Sequence, residues 1–118
     1  IKAKRPDVTL LAVGTNSAAT TALLRAGADQ AATGENAVVV GCRTADVIVG
    51  PVGIVIADAM LGEITPTMAL AVGQSQARRI LIPVNQCDNI VAGAQGQPMA
   101  RLVQCAVEAL DQLDSCSR

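Results

Sequence analysis

The chain has 118 residues, a net charge of −1, and 51% hydrophobic against 16% charged residues. That length holds a single core, that balance excludes a disordered chain, and that charge provides no footprint for nucleic acid or an anionic membrane surface. Phe, Tyr, Trp and His are all absent. Their absence removes the platforms on which bases stack, and with them the commonest general base and metal ligand. No metal site is expected, and any chemistry falls to Asp, Glu, Lys, Cys, Ser or Thr.

Lys2, Lys4 and Arg5 form a small basic cluster, narrower than a nucleic-acid patch and best read as a solvated terminus. Asp7 to Val13 is an apolar run without helical period, stopped by Gly14, and predicts a buried strand. Thr15, Asn16 and Ser17 offer N-caps for a short helix from Ala18 to Ala26, with Gly27 as its stop. Thr33 is the expected N-cap of a second helix, with Glu35 at its positive end; the β-branched Val38, Val39 and Val40 weaken it. Asp46 to Gly50 is the next strand, closed by Gly50-Pro51. Gly53 to Met60 has helix-like content and is apolar on nearly all sides, which points to burial or a subunit contact.

Thr65-Pro66 is an N-cap followed by Pro at the first helical position, and predicts a helix from Pro66 to about Gln76. Arg79 to Val84 is the third strand, and Ile90 to Ala92 is a candidate edge strand. The last helix runs from Pro98 to about Leu113. Its apolar face carries Met99, Leu102, Val103, Ala106, Leu110 and Leu113, opposite Arg101, Gln104, Glu108 and Asp111. Strands that are apolar throughout, alternating with helices, predict an α/β fold: a small open, mostly parallel sheet with helices on both faces, Rossmann-like and three-layered. Residues 1–113 form that single domain and 114–118 a frayed tail.

Cys42, Cys87, Cys105 and Cys116 are widely spaced and form no C-x-x-C pair. With no signal peptide and no apolar run long enough for a membrane span, they read as free thiols in a reducing cytoplasm. Cys42 and Cys105 fall on helices as small core hydrophobes. Cys87 follows a strand, where a nucleophile could be presented, but no base accompanies it. The low charge fraction points to a surface covered by another copy, hence a homo-oligomer.

Several stretches resemble an uncharacterised bacterial family, a domain of unknown function with a Rossmann-like pattern. They are Ala12-Val13-Gly14-Thr15-Asn16 with Ala19-Thr20, Ala26-Gly27-Ala28, Ala32 to Ala37 and Asp46 to Pro51. A long central block from Gly53 through Gly62-Glu63-Ile64-Thr65-Pro66 to Ala69, and Ile80 to Asn85, complete the set. The resemblance implies the fold and a cytoplasmic setting. It also implies an opening strand and Gly-rich turn that this chain lacks, with Ile1 to Arg5 as the tail of the helix that follows them. It implies no activity and no cofactor.

Ligands of open parallel sheets bind outside the carboxyl ends of the strands. Three turns follow strands here: Gly14-Thr15-Asn16-Ser17, Gly50-Pro51-Val52-Gly53 and Pro83-Val84-Asn85-Gln86. Gly14, Thr15, Asn16, Gly50, Pro51 and Asn85 are therefore candidate ligand-binding residues, although the same residue types are what any βα turn needs. Thr33, Glu35 and Asn36 form a second candidate, for a ribose or an amide, against a plain helix cap. Glu63 lies beside an apolar stretch, where a desolvated carboxylate can act as a general acid or base; capping the Pro66 helix or pairing with an Arg is the alternative. Asp58 shares that ambiguity.

Three functions follow. The first is a small-molecule-binding domain for a nucleotide or another phosphorylated metabolite. The second is an enzyme using Glu63, and it requires Glu63 within reach of Asn16 or Asn85. The third is an oligomeric structural or regulatory subunit.

Overall fold

The computed structural model describes residues 1, 4–83, 89–94 and 96–115. Strand β1, Leu11–Gly14, leads into α1, Ser17–Arg25, and β2, Gln30–Thr33, into α2, Glu35–Thr44. Strand β3, Val47–Pro51, runs into a 3-10 turn at Val52–Val55, then α3, Pro66–Gln74, β4, Arg78–Ile82, and α4, Met99–Ser115. The alternation is that of an α/β fold, and both strand pairs among the described residues, β1 with β2 and β3 with β4, are parallel.

The ladder comes in two pieces. β1 pairs with β2 and β3 with β4, and the two pairs form separate two-stranded sheets. Their relative order follows from the helices. A Cβ on Gly14 would lie 2.5 Å from Thr20 Oγ1 on α1, whereas one on Gly41 of α2 would lie 3.6 Å from Leu11 Cδ2. Leu11 and Gly14 are an odd number of residues apart, so their side-chain directions point to opposite faces. Hence α1 and α2 cover opposite faces of the β1–β2 sheet. α3 packs on α2, where Ser75 Oγ donates to the Cys42 carbonyl at 2.7 Å, and so lies in the α2 layer. Parallel crossovers are right-handed. With α1 on one face, the step from β1 to β2 goes one way; with α3 on the other, the step from β3 to β4 goes the opposite way. A right-handed β2–α2–β3 crossover on the α2 face then carries the chain back past β1, which gives the order β2, β1, β3, β4 with the winding reversed between β1 and β3.

The local boundaries have physical causes. Asn16 caps α1, its Oδ1 accepting from Ala19 N–H at 2.9 Å. Thr65 caps α3, with Pro66 at the first helical position. α2 forms in spite of its three valines, because Val38 packs on the buried Ile64, Met68 and Ala69. Its N-cap is Gly34 at φ 99°, not Thr33, which is the last residue of β2. The helix expected over Gly53 to Met60 is only the 3-10 turn. Beyond it Asp58, Met60, Leu61 and Gly62 all take left-handed backbone, which stops any right-handed helix. Ile90 to Ala92 forms no strand. Cys105 is exposed on α4, not a core residue, while Cys42 is half-buried. No helix among the described residues is long and apolar enough to cross a membrane.

Candidate functional site

The carboxyl ends of β1 and β2 lie side by side, tied by Gly34 N–H donating to the Gly14 carbonyl at 3.0 Å. Gly14 is buried against Thr20. That hydroxyl donates to the Asn16 carbonyl at 3.0 Å and meets Thr33 Oγ1 at 2.7 Å. Thr33 therefore serves the wall between β2 and α1.

Glu63 arrives from the other half of the fold. Thr15 Oγ1 and Asn16 Nδ2 both donate to Glu63 Oε1, each at 3.2 Å. Glu63 neither caps α3 nor pairs with an Arg among the described residues; it bridges the turn after β1 and the loop after β3. Glu63 is exposed, and its second carboxylate oxygen accepts no hydrogen bond among the described residues. The loop that delivers it is held by Asp58 N–H to the Ile64 carbonyl at 2.7 Å and Ile64 N–H to the Ala59 carbonyl at 3.1 Å.

A second bridge runs parallel to the first. Thr65 Oγ1 donates to Glu35 Oε1 at 2.5 Å, while accepting from Met68 N–H at 3.2 Å. Glu35 sits in the first turn of α2, where the helix dipole favours its charge. The two carboxylates thus lie on one rim, each hydrogen-bonded across from one half of the fold to the other. From the sequence, Glu63 within reach of Asn16 is only a requirement of the enzyme hypothesis, and nothing signals the Glu35–Thr65 pair; the partners are 47 and 30 residues apart.

The remaining sequence candidates divide. Asn36 is exposed on the first turn of α2. Gly50 and Pro51 end β3, and Gly50 lies under Ile54, whose Cδ1 would sit 2.8 Å from a Cβ there. They offer no polar side chain. Asn85 and Cys87 lie outside the described residues, as does most of the third turn. Asp58 occupies the strained turn at φ 66° and belongs to the scaffold of Glu63. Among the described residues no group of His, Cys, Asp and Glu is arranged to hold a metal ion. Burial pushes the Cys42 thiol above its ordinary range, and it lies at the far end of α2.

A concavity of about 450 Å³ lies elsewhere, between the end of β4 and the start of α4, lined by Pro83, Val91, Arg101, Leu102 and Cys105 among others. It shares no residue with the carboxylate rim. The rim brings together two carboxylates, an amide and hydroxyls, whereas the concavity is mostly apolar, with Gln97 and Arg101 as its polar side chains.

A family model for a domain of unknown function, DUF3842, matches residues 1–115. The chain belongs to this family. No curated protein and no solved structure matches it significantly. The DUF3842 match spans the whole carboxylate rim, from Gly14 to Thr65, together with both half-sheets.

Proposed function

We propose that the protein binds a small molecule across the reversal between β1 and β3, and that the ligand is a nucleotide or another phosphorylated metabolite with hydroxyl groups. The observation that carries this reading is the bridge from Glu63 to Thr15 and Asn16. In open α/β sheets the crevice at the point of reversed winding is where ligands settle, and here that point is lined by residues from both halves. The second carboxylate oxygen of Glu63 is an acceptor for a ribose-type hydroxyl. The second N–H of Asn16 is a donor beside it. A carboxylate rim recognises the hydroxyl end of such a ligand, not its phosphate.

The test is calorimetric titration of the protein with nucleosides, nucleotides, dinucleotides and sugar phosphates, repeated with Glu63→Gln and Asn16→Ala. Loss of one charge-assisted hydrogen bond costs about 1.5–3 kcal/mol, so Glu63→Gln should weaken binding roughly 10- to 100-fold. Absence of binding across all four classes, or equal binding by both variants, would overturn the reading.

A second reading is favoured by the backbone that presents Glu63. Asp58, Met60 and Leu61 all hold φ between 57° and 66°. Strain of this kind, about 1–3 kcal/mol per residue, persists where the surroundings enforce it and clusters at reactive sites. In this reading Glu63 is a general acid or base, and the ligand is turned over. Product formation that Glu63→Gln abolishes while binding survives separates it from simple binding.

A further inference from the structure

We propose that the outer face of the α2–α3 layer is a two-fold contact between copies of this chain, with α3 lying antiparallel to the partner's α3 and crossing it at Leu70. The two helices run side by side in the same direction. Thr65 donates to Glu35 where both begin, and Ser75 donates to the Cys42 carbonyl where both end. Met68, Ala69 and Val72 fill the inner side of α3. At 3.6 residues per turn its outer side therefore carries Pro66, Thr67, Leu70, Gly73 and Gln74, and all five are exposed. On α2, Gly41 faces Leu11 of the sheet, which turns Val39 and Arg43 outward and leaves Glu35 on the outer edge.

The chemistry of this face does not suit solvent. A surface helix turns its charged side chains outward, yet α3 is the one α-helix among the described residues that carries no charge. Leu70, the middle residue of Pro66–Gln74, is 57% exposed. Gly73 costs the helix about 1 kcal/mol against alanine, and nothing lies within 4 Å of the side-chain position it leaves empty. Surface is left over for a contact: the chain exposes 7501 Å², against about 6,000 Å² for a closed monomer of its mass. Two helices of nine and ten residues offer roughly 600 Å² per partner, the low end of specific interfaces.

Charge and symmetry select a second copy as the occupant. Across a two-fold axis the central residue meets its own copy, so a charged face repels itself and an uncharged one does not. Leu70 then meets the partner's Leu70. Thr67 meets the partner's Gly73, whose missing side chain leaves room for it. Antiparallel alignment also sets Glu35, at the start of α2, over the partner's Arg43 at its end, twice by symmetry. Both side chains are exposed, and neither has an ion pair among the described residues. An apolar centre with a polar rim is the anatomy of a specific interface. A lipid surface instead selects apolar faces flanked by cations alone, and here each Arg43 comes with a Glu35.

Sedimentation equilibrium of the 118-residue chain, over roughly 1 to 500 µM, tests this. The mass should rise from monomer to dimer across that range, as an interface of this size implies. Leu70→Glu should keep the far-UV circular dichroism and weaken association about tenfold or more, because two like charges meet on the axis. Glu35→Arg and Arg43→Glu should each weaken it about fivefold alone. Mixed one to one, these two chains should pair again, since every rim contact then joins opposite charges. A mass that stays monomeric over the whole range would overturn the proposal, and this outcome is readable even if the variants fail to fold. So would a dimer indifferent to Leu70→Glu, or charge variants whose mixture associates no better than either alone. A monomer that floats with phosphatidylcholine vesicles, and loses this with Leu70→Glu, would assign the face to lipid and overturn the proposal as well.

Discussion

Gly14 shows how little room the site's inner wall leaves. A Cβ there would meet Thr20 Oγ1 at 2.5 Å and the Thr20 backbone nitrogen at 2.7 Å, and backbone cannot swing aside as a flexible side chain can. Gly14→Ala should therefore destabilise the fold by about 1–3 kcal/mol, read as a lower midpoint in urea unfolding. Gly73→Ala, in α3 with nothing within 4 Å of the added atom, should instead stabilise by about 1 kcal/mol from helix propensity. If both variants melted alike, the close approach of β1 and α1 would be disproved. At this scale the sequence showed the residues but not their partners. Asn16 was legible as a cap because capping is local. Glu63 was legible as a carboxylate near an apolar stretch. Its bond to Asn16 was a condition of the enzyme reading, and nothing local encoded it. Glu35 was read with Thr33 and Asn36, yet its partner is Thr65, brought to it by the packing of α2 on α3.

Helix α3 depends on Thr65 in two ways, as its cap and as the anchor of Glu35. Thr65→Ala removes both and should cost about 1 kcal/mol through the cap, with Thr65→Ser restoring most of it; thermal melts of the two variants check this. Loss of equal size in both would assign the effect to the methyl group instead. Elements with strong local signals were legible: the Thr65-Pro66 start of α3, the amphipathic face of α4, the apolar run of β3. β2 was not. It is four residues of Gln, Ala, Ala and Thr, and alanine carries no strand preference; only pairing with β1 makes it a strand. The segment after β3 misled for the opposite reason. Its apolar content is real, but the β-branched Val52, Ile54, Val55 and Ile56 hold a helix weakly, and Asp58 and Gly62 accept the left-handed backbone that ends it.

The whole molecule exposes more surface than a closed domain of its mass, and its described core is small, seven buried apolar residues. Less area is therefore released on unfolding, and the urea m-value should fall near the bottom of the usual 1–3 range, about 1 kcal/mol/M. A value near the top of that range would mean that the half-sheets close on one another in solution. Alternation of strands and helices made the α/β class legible, but the division of the sheet was not, because register between strands leaves no mark on either strand alone. That division has a mechanical corollary. The protein is built like a book: two leaves, each a strand pair with its own helices, share a spine where α2 meets α3, and Glu63 with Asn16 forms a clasp across the fore-edge. A ligand bound there, as proposed, would hold the leaves shut and so stiffen residues far from any contact with it.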